Sequence, residues 1–206
     1  MIELIQMRQT SPERFVLTFS DGSEVKATLS VITELYIHSG MELGDEEFEA
    51  LKNECGYSLC KTRALRLIGI QSMSRKGMRD KLVQKGEAPE NAERAADWLV
   101  EMGMINDESF AGAVVRHYAA KGYGKSRIRN ELYRHGVPKE LWEQAFDEMP
   151  EQDEKMDKFI RSRLTDPADR AQVKRVSDGL FRRGYSWSEI KAALERFKAE
   201  LEETEC

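Results

Sequence analysis

One pattern recurs along this 206-residue chain and limits its fold more than any single motif does. Met78, Leu82 and Gly86 are spaced four apart; so are Ile128, Leu132 and Gly136, and so are Val176, Leu180 and Gly184. The three leucines lie 50 and 48 residues apart. Apolar residues at i and i+4 share one face of a helix. A Gly four residues later closes that helix in the left-handed conformation. Pro89 and Pro138 then stand where a first helical turn tolerates a missing N–H. In the third copy Ser186-Trp-Ser-Glu189 does the same job as a capping box.

Each copy predicts two further helices. Behind the Gly, apolar stripes run through Ala92, Ala95, Ala96, Leu99 and Met102; Leu141, Ala145 and Met149; and Ile190, Ala193, Leu194, Phe197 and Leu201. In front, helices are predicted at about Leu59–Ile70, Glu108–Ala120 and Glu154–Leu164. Units this small have small cores and lean on their neighbours, so an elongated, curved array is expected.

The first thirty residues read differently. Arg14-Phe-Val-Leu-Thr-Phe19 and Glu24-Val-Lys-Ala-Thr-Leu29 alternate as strands around Asp21-Gly22, read as a two-residue type I′ loop, and Ile2 to Met7 offers a third strand. Short helices are expected over Ser30–Gly40 and Asp45–Asn53. The predicted fold is therefore mainly α: a tandem array of three three-helix repeats behind a small N-terminal β-hairpin cap. Its boundaries fall at 1–56, 57–106, 107–152 and 153–206.

The longest run without Lys, Arg, Asp or Glu is Leu67–Ser74, too short for a membrane-spanning helix, and no signal peptide is read at the N-terminus. Three cysteines (Cys55, Cys60 and Cys206) suit a reducing cytoplasm better than a disulfide scaffold. No phosphate-cradling loop, nucleophile elbow or metal-ligand spacing is present in the sequence, so neither catalysis, cofactor nor metal is expected. His117 reads as a part-buried structural residue beside Phe110 and Val114.

Charge supplies the functional lead. The net charge of −5 hides a basic middle: residues 61–135 carry +6, between 1–60 at −7 and 136–206 at −4. Basic side chains recur beside the middle helix of each copy: Arg75, Lys76, Arg79 and Lys85; Arg116, Lys121, Lys125, Arg127, Arg129 and Arg134; Arg182 and Arg183. Such a pattern neutralises phosphates or meets acidic groups on a protein partner. The run Lys121-Gly-Tyr-Gly-Lys125 lets main chain approach a partner closely.

The same residues carry a resemblance. Gly103-Met-Ile-Asn-Asp-Glu-Ser-Phe110, Val115-Arg116, Lys121-Gly-Tyr-Gly-Lys-Ser-Arg-Ile-Arg-Asn-Glu-Leu132 and His135-Gly-Val-Pro138 resemble the central motif of the RecX family. Ser74-Arg-Lys-Gly-Met-Arg-Asp-Lys-Leu82 with Lys85-Gly86 is similar to the family's first unit. The resemblance covers residues 57–150 best, and the third copy more loosely. It implies a non-enzymatic regulator of the RecA recombinase, without cofactor, in bacterial DNA repair, recombination and the SOS response. The implied partner is the RecA–single-stranded-DNA filament, with ATP hydrolysis and strand exchange restrained. The basic residues named above are the expected contacts, the protein a cytoplasmic monomer. A direct DNA-binding helical module is the alternative reading.

Overall fold

A computed structural model describes residues 1–204; Cys206 lies outside them. The chain divides after Asn106 into two compact units.

In the first unit, β1 (Ile2–Ser11), β2 (Arg14–Phe19), β3 (Glu24–Thr28) and β4 (Glu42–Leu43) form an antiparallel sheet in the order β3-β2-β1-β4. The two-residue β4 is too short for an alternation signal. The β2–β3 connection corrects the sequence reading. Phe19 N–H bonds to the Ser23 carbonyl (3.0 Å), and Gly22 N–H to the Phe19 carbonyl (3.0 Å). Gly22 is left-handed at φ 82°, whereas Asp21 is not. That is a three-residue loop ending in a left-handed Gly, not a type I′ turn. Asp21 instead accepts from Ser23 N–H (2.9 Å) and Oγ (2.6 Å).

The first helix is shorter than expected. α1 (Leu29–Glu34) is capped by Thr28 and stops well before Gly40. Tyr36 turns left-handed (φ 51°) and the chain folds back so that Ile37 is buried. The two helices expected at Asp45–Asn53 and Leu59–Ile70 are one, α2 (Asp45–Ile70). Acids fill its first turn, where the helix dipole favours them. It continues through Gly56 because both of its halves find partners. Phe48, Leu51 and Cys55 complete the core under the sheet, with Leu4, Leu17, Phe19 and Ala27. Cys60 and Ala64 pack on α3 (Arg75–Gln84) and α4 (Pro89–Glu101), against Met78, Leu82, Ala95 and Leu99. A 2.5 Å hydroxyl–hydroxyl bond between Thr28 and Ser58 ties α2 to the end of β3.

Burial has a chemical consequence at the two thiols on α2. Cys55 and Cys60 are fully buried, and loss of water pushes them up to about 11 and about 12. At pH 8 a thiol titrating near 11 is ionised in only about one molecule in a thousand. Peptide mapping after iodoacetamide treatment should find both unmodified in the native protein and both modified after unfolding. Labelling of either without denaturant would contradict the packing of α2.

The second unit contains α5 (Asp107–Ala120) and α6 (Lys125–Arg134). A 3-10 turn at Lys139–Leu141 leads into α7 (Trp142–Asp147). Then come α8 (Asp153–Arg161), α9 (Arg170–Arg182) and α10 (Trp187–Thr204). Val115, Ile128, Leu132 and Ala145 share one core; Ile160, Val176, Leu180, Ile190 and Ala193 share another. Leu82, Leu132 and Leu180 are all fully buried, and Gly86, Gly136 and Gly184 are all left-handed (φ 89°, 71° and 92°). Two expectations do not hold. Met102 is 56% exposed because α4 ends before it, and His117 is exposed, its ring edge-on to Tyr118.

Candidate functional site

The basic residues predicted as contacts fall into two physical groups. The arginines mostly bind the protein's own acids. On α3, Arg75 meets Asp97 and Glu93 of α4 (2.5 Å each), and Arg79 meets Glu93 and Asp80 (2.9 Å each). The hydrogen bond to Asp97, with Glu93 second, raises Arg75 above its ordinary value. Arg116 of α5 reaches Glu148 beyond α7 (2.5 Å), and Arg129 of α6 reaches Glu143 on α7 (3.0 Å). Arg127 and Arg134 converge on Glu131 at 3.0 and 2.9 Å. Glu131 is only 2% exposed and also accepts from the Tyr118 hydroxyl (3.2 Å). A buried carboxylate needs such partners, because leaving it unpaired costs several kcal/mol, roughly 3–5. Arg183 stacks over Phe159 (4.7 Å) and Tyr123 (5.8 Å), and its Nη1 lies 3.5 Å from the Gly122 carbonyl.

The second group points to solvent. Lys76, Lys85, Lys121, Lys125 and Arg182 are exposed and, among the described residues, have no carboxylate partner within ion-pair distance. The Lys121 ammonium lies 5.4 Å from the centre of the Tyr118 ring and that of Lys125 5.8 Å from Phe146, contacts that orient both while the residues stay exposed. These five are the cations most available to another molecule. The exposed arginine pairs offer less, since a partner must first displace an acid.

The glycine-rich run has a different role from the one its sequence suggested. Gly124 N–H donates to the Arg183 carbonyl (2.9 Å), and Ser126 N–H to the Gly184 carbonyl (3.1 Å). A Cβ on Gly124 would collide with the Gly184 carbonyl, and one on Gly184 with the Arg127 main chain. The close main-chain approach is therefore internal, between the start of α6 and the α9–α10 connection.

That contact floors an open cleft of about 720 Å³. Lys125, Ser126 and Arg129 line one side, and Phe181, Tyr185 and Trp187 the other. Phe181 and Trp187 are stacked, with ring centroids 5.2 Å apart and planes 19° from parallel, yet 52% and 56% exposed. Sequence reasoning missed this pair. A signal was present: Phe181 follows a core leucine directly, on the side of the helix that should face water. Glu189 also lines the cleft, but its Oε2 accepts from Ser186 N–H (2.7 Å) and Oγ (2.6 Å) in the expected capping box. Tyr185 is 3% exposed, and its hydroxyl has no hydrogen-bond partner among the described residues. Burial pushes that phenol up to about 12, so it stays a neutral O–H donor.

Among the described residues no cluster of His, Cys, Asp and Glu could hold a metal ion, and no helix is long and apolar enough to cross a membrane.

Comparison with known proteins places this geometry. A family model described as RecX, first three-helix domain, matches residues 60–99, and one described as RecX, second three-helix domain, matches residues 106–145. A regulatory protein RecX from Xanthomonas axonopodis pv. citri is 38% identical over 141 residues, covering 67% of this chain and 86% of the relative. One from Trichlorobacter lovleyi is 32% identical over 145 residues, covering 66% of this chain and 94% of the relative. Among solved structures, a crystal structure of regulatory protein RecX superposes with a TM-score of 0.72 at 21% identity, over 95% of this chain and all 100% of that one. RecX from Lactobacillus salivarius superposes with a TM-score of 0.62, also at 21% identity, over 70% of this chain and 97% of that one.

Proposed function

This chain belongs to the RecX family of regulatory proteins, and from that premise we propose that it binds RecA–single-stranded-DNA filaments and restrains RecA. Restraint here means slower ATP hydrolysis and strand exchange. The protein acts by binding, not by turnover, and works in the cytoplasm as a monomer. The observation that carries this reading is the family match over both three-helix domains. The unpaired cations Lys76, Lys85, Lys121 and Lys125 fit it, because a filament carrying DNA phosphates attracts them at long range.

The boundaries at residues 56, 106 and 152 belong to the same proposal. So does α8–α10 as a third copy of the three-helix unit: Val176 and Leu180 repeat the spacing and burial of Ile128 and Leu132, and Gly184 the left-handed turn of Gly136. Direct reading of duplex DNA by α6 finds less support. Arg127 and Arg129 are already engaged by Glu131 and Glu143 rather than free to meet base edges.

The test is RecA-driven ATP hydrolysis on single-stranded DNA with this protein added below RecA stoichiometry. Hydrolysis should slow. Changing Lys76, Lys85, Lys121 and Lys125 together to Ala should weaken the effect about tenfold at low salt, and less at high salt, with helical content unchanged. Unaltered hydrolysis with the native protein would reject the filament reading. Equal potency of the lysine variant would reject these contacts.

A further inference from the structure

The cleft over the Gly124–Gly184 contact is better equipped than a chance surface groove. Two large aromatic rings stack on each other at its edge instead of burying themselves in the core below, where Leu180 and Ile190 sit. Holding two half-exposed rings in water is unfavourable, and their outer faces suit a third flat ring. Across the cleft, Lys125 provides an unpaired positive charge, beside Arg129, which is paired with Glu143. The first turns of α6 and α10 open into the same space, adding the partial positive charge of two helix N-termini. The cleft's own carboxylate, Glu189, is held back at the start of α10 by two hydrogen bonds from Ser186 to its Oε2, and keeps its charge.

These features ask for a ligand with a flat ring and an adjoining anion. An acidic peptide would use the cations and leave the rings in water. A nucleotide uses both, and at about 720 Å³ the cleft has room for one or two. The base must be unpaired, since a paired base has its faces covered by its neighbours. We propose that the cleft between the N-termini of α6 and α10 binds single-stranded nucleic acid directly, one base stacking on the Trp187–Phe181 pair and its phosphate lying against Lys125. This adds a direct strand contact to the filament reading and rests on it only in expecting single strands nearby.

Binding of fluorescein-labelled oligo-dT to the full chain without RecA, read by anisotropy, tests it. An abasic oligonucleotide with the same sugar–phosphate chain serves as the second probe. Trp187→Ala should weaken oligo-dT binding about five- to a hundredfold, the range for losing one stacked base. Trp187→Phe should restore most of it, and neither variant should alter the thermal midpoint, since the ring is more than half exposed. The abasic probe should bind weakly and ignore the substitution. Equal affinity of native protein for both probes, or of Trp187→Ala and native protein for oligo-dT, would overturn the assignment. Loss of RecA inhibition in Trp187→Ala with oligo-dT affinity unchanged would overturn it in favour of a protein-docking face. Ring-dependent oligo-dT binding without any effect on RecA would support the cleft and reject the filament reading, so the two fail separately.

Discussion

Gly184→Ala is expected to destabilise the second unit by about 2–5 kcal/mol, measured as a lower denaturant midpoint. Two separate penalties add. The residue sits at φ 92°, where an L side chain costs about 1–2 kcal/mol. Its Cβ would also strike the Arg127 main chain at the start of α6, and relieving that overlap costs about 1–3 kcal/mol. Gly124→Ala isolates the second penalty, because Gly124 is extended at φ −80° while its Cβ meets the Gly184 carbonyl. It should cost less than Gly184→Ala. Hydrogen exchange should quicken at the Gly124 and Ser126 amides and in the first turn of α10, with α2, α3 and α4 unchanged. A loss below about 1 kcal/mol in both variants would mean that the two main chains do not touch.

Leu132→Ala should cost about 2–5 kcal/mol, as for a fully buried leucine whose neighbours cannot collapse into the gap. Those neighbours are Val115, Ile128 and Ala145, carried on three different helices. The adjacent Tyr133→Ala is the control for helix register. Tyr133 is 68% exposed, so its loss should stay within about 0.5 kcal/mol. Similar costs at both positions would mean that α6 is rotated from its assigned face.

The core was readable because it depends on spacing. A Leu four residues after Met78, Ile128 or Val176 faces inward in any α-helix, and a Gly after the last turn ends it in any context. What failed depended on neighbours that sequence distance hides. α2 runs unbroken from Asp45 to Ile70 because the sheet supports one half and α3 and α4 the other, a support no local pattern records. Charge counts located the basic middle but could not say that Arg75 belongs to Asp97, or Arg116 to Glu148, residues far away in the chain. That separation leaves the four lysines and Arg182 as the exposed predicted basic residues without a carboxylate partner among the described residues, while most of the arginines pair with acids on their own or neighbouring helices. The exposed rings illustrate the opposite case. Val83, Tyr133 and Phe181 each follow a core leucine and each is exposed, so a recurring apolar position outside the core was visible in the sequence, though not its stacking on Trp187.

The contact between Gly124, Ser126 and the 183–184 main chain is made by uncharged amides alone. Ionic strength acts on charges, with a reach of about 8 Å at physiological salt, and hardly at all on such bonds. Salt that strips the lysines from a polyanion will therefore leave this joint in place. High salt thus weakens the ion pairs between other helices while α6 and α10 stay aligned, so the cleft between their N-termini keeps its shape where exposed charges no longer act.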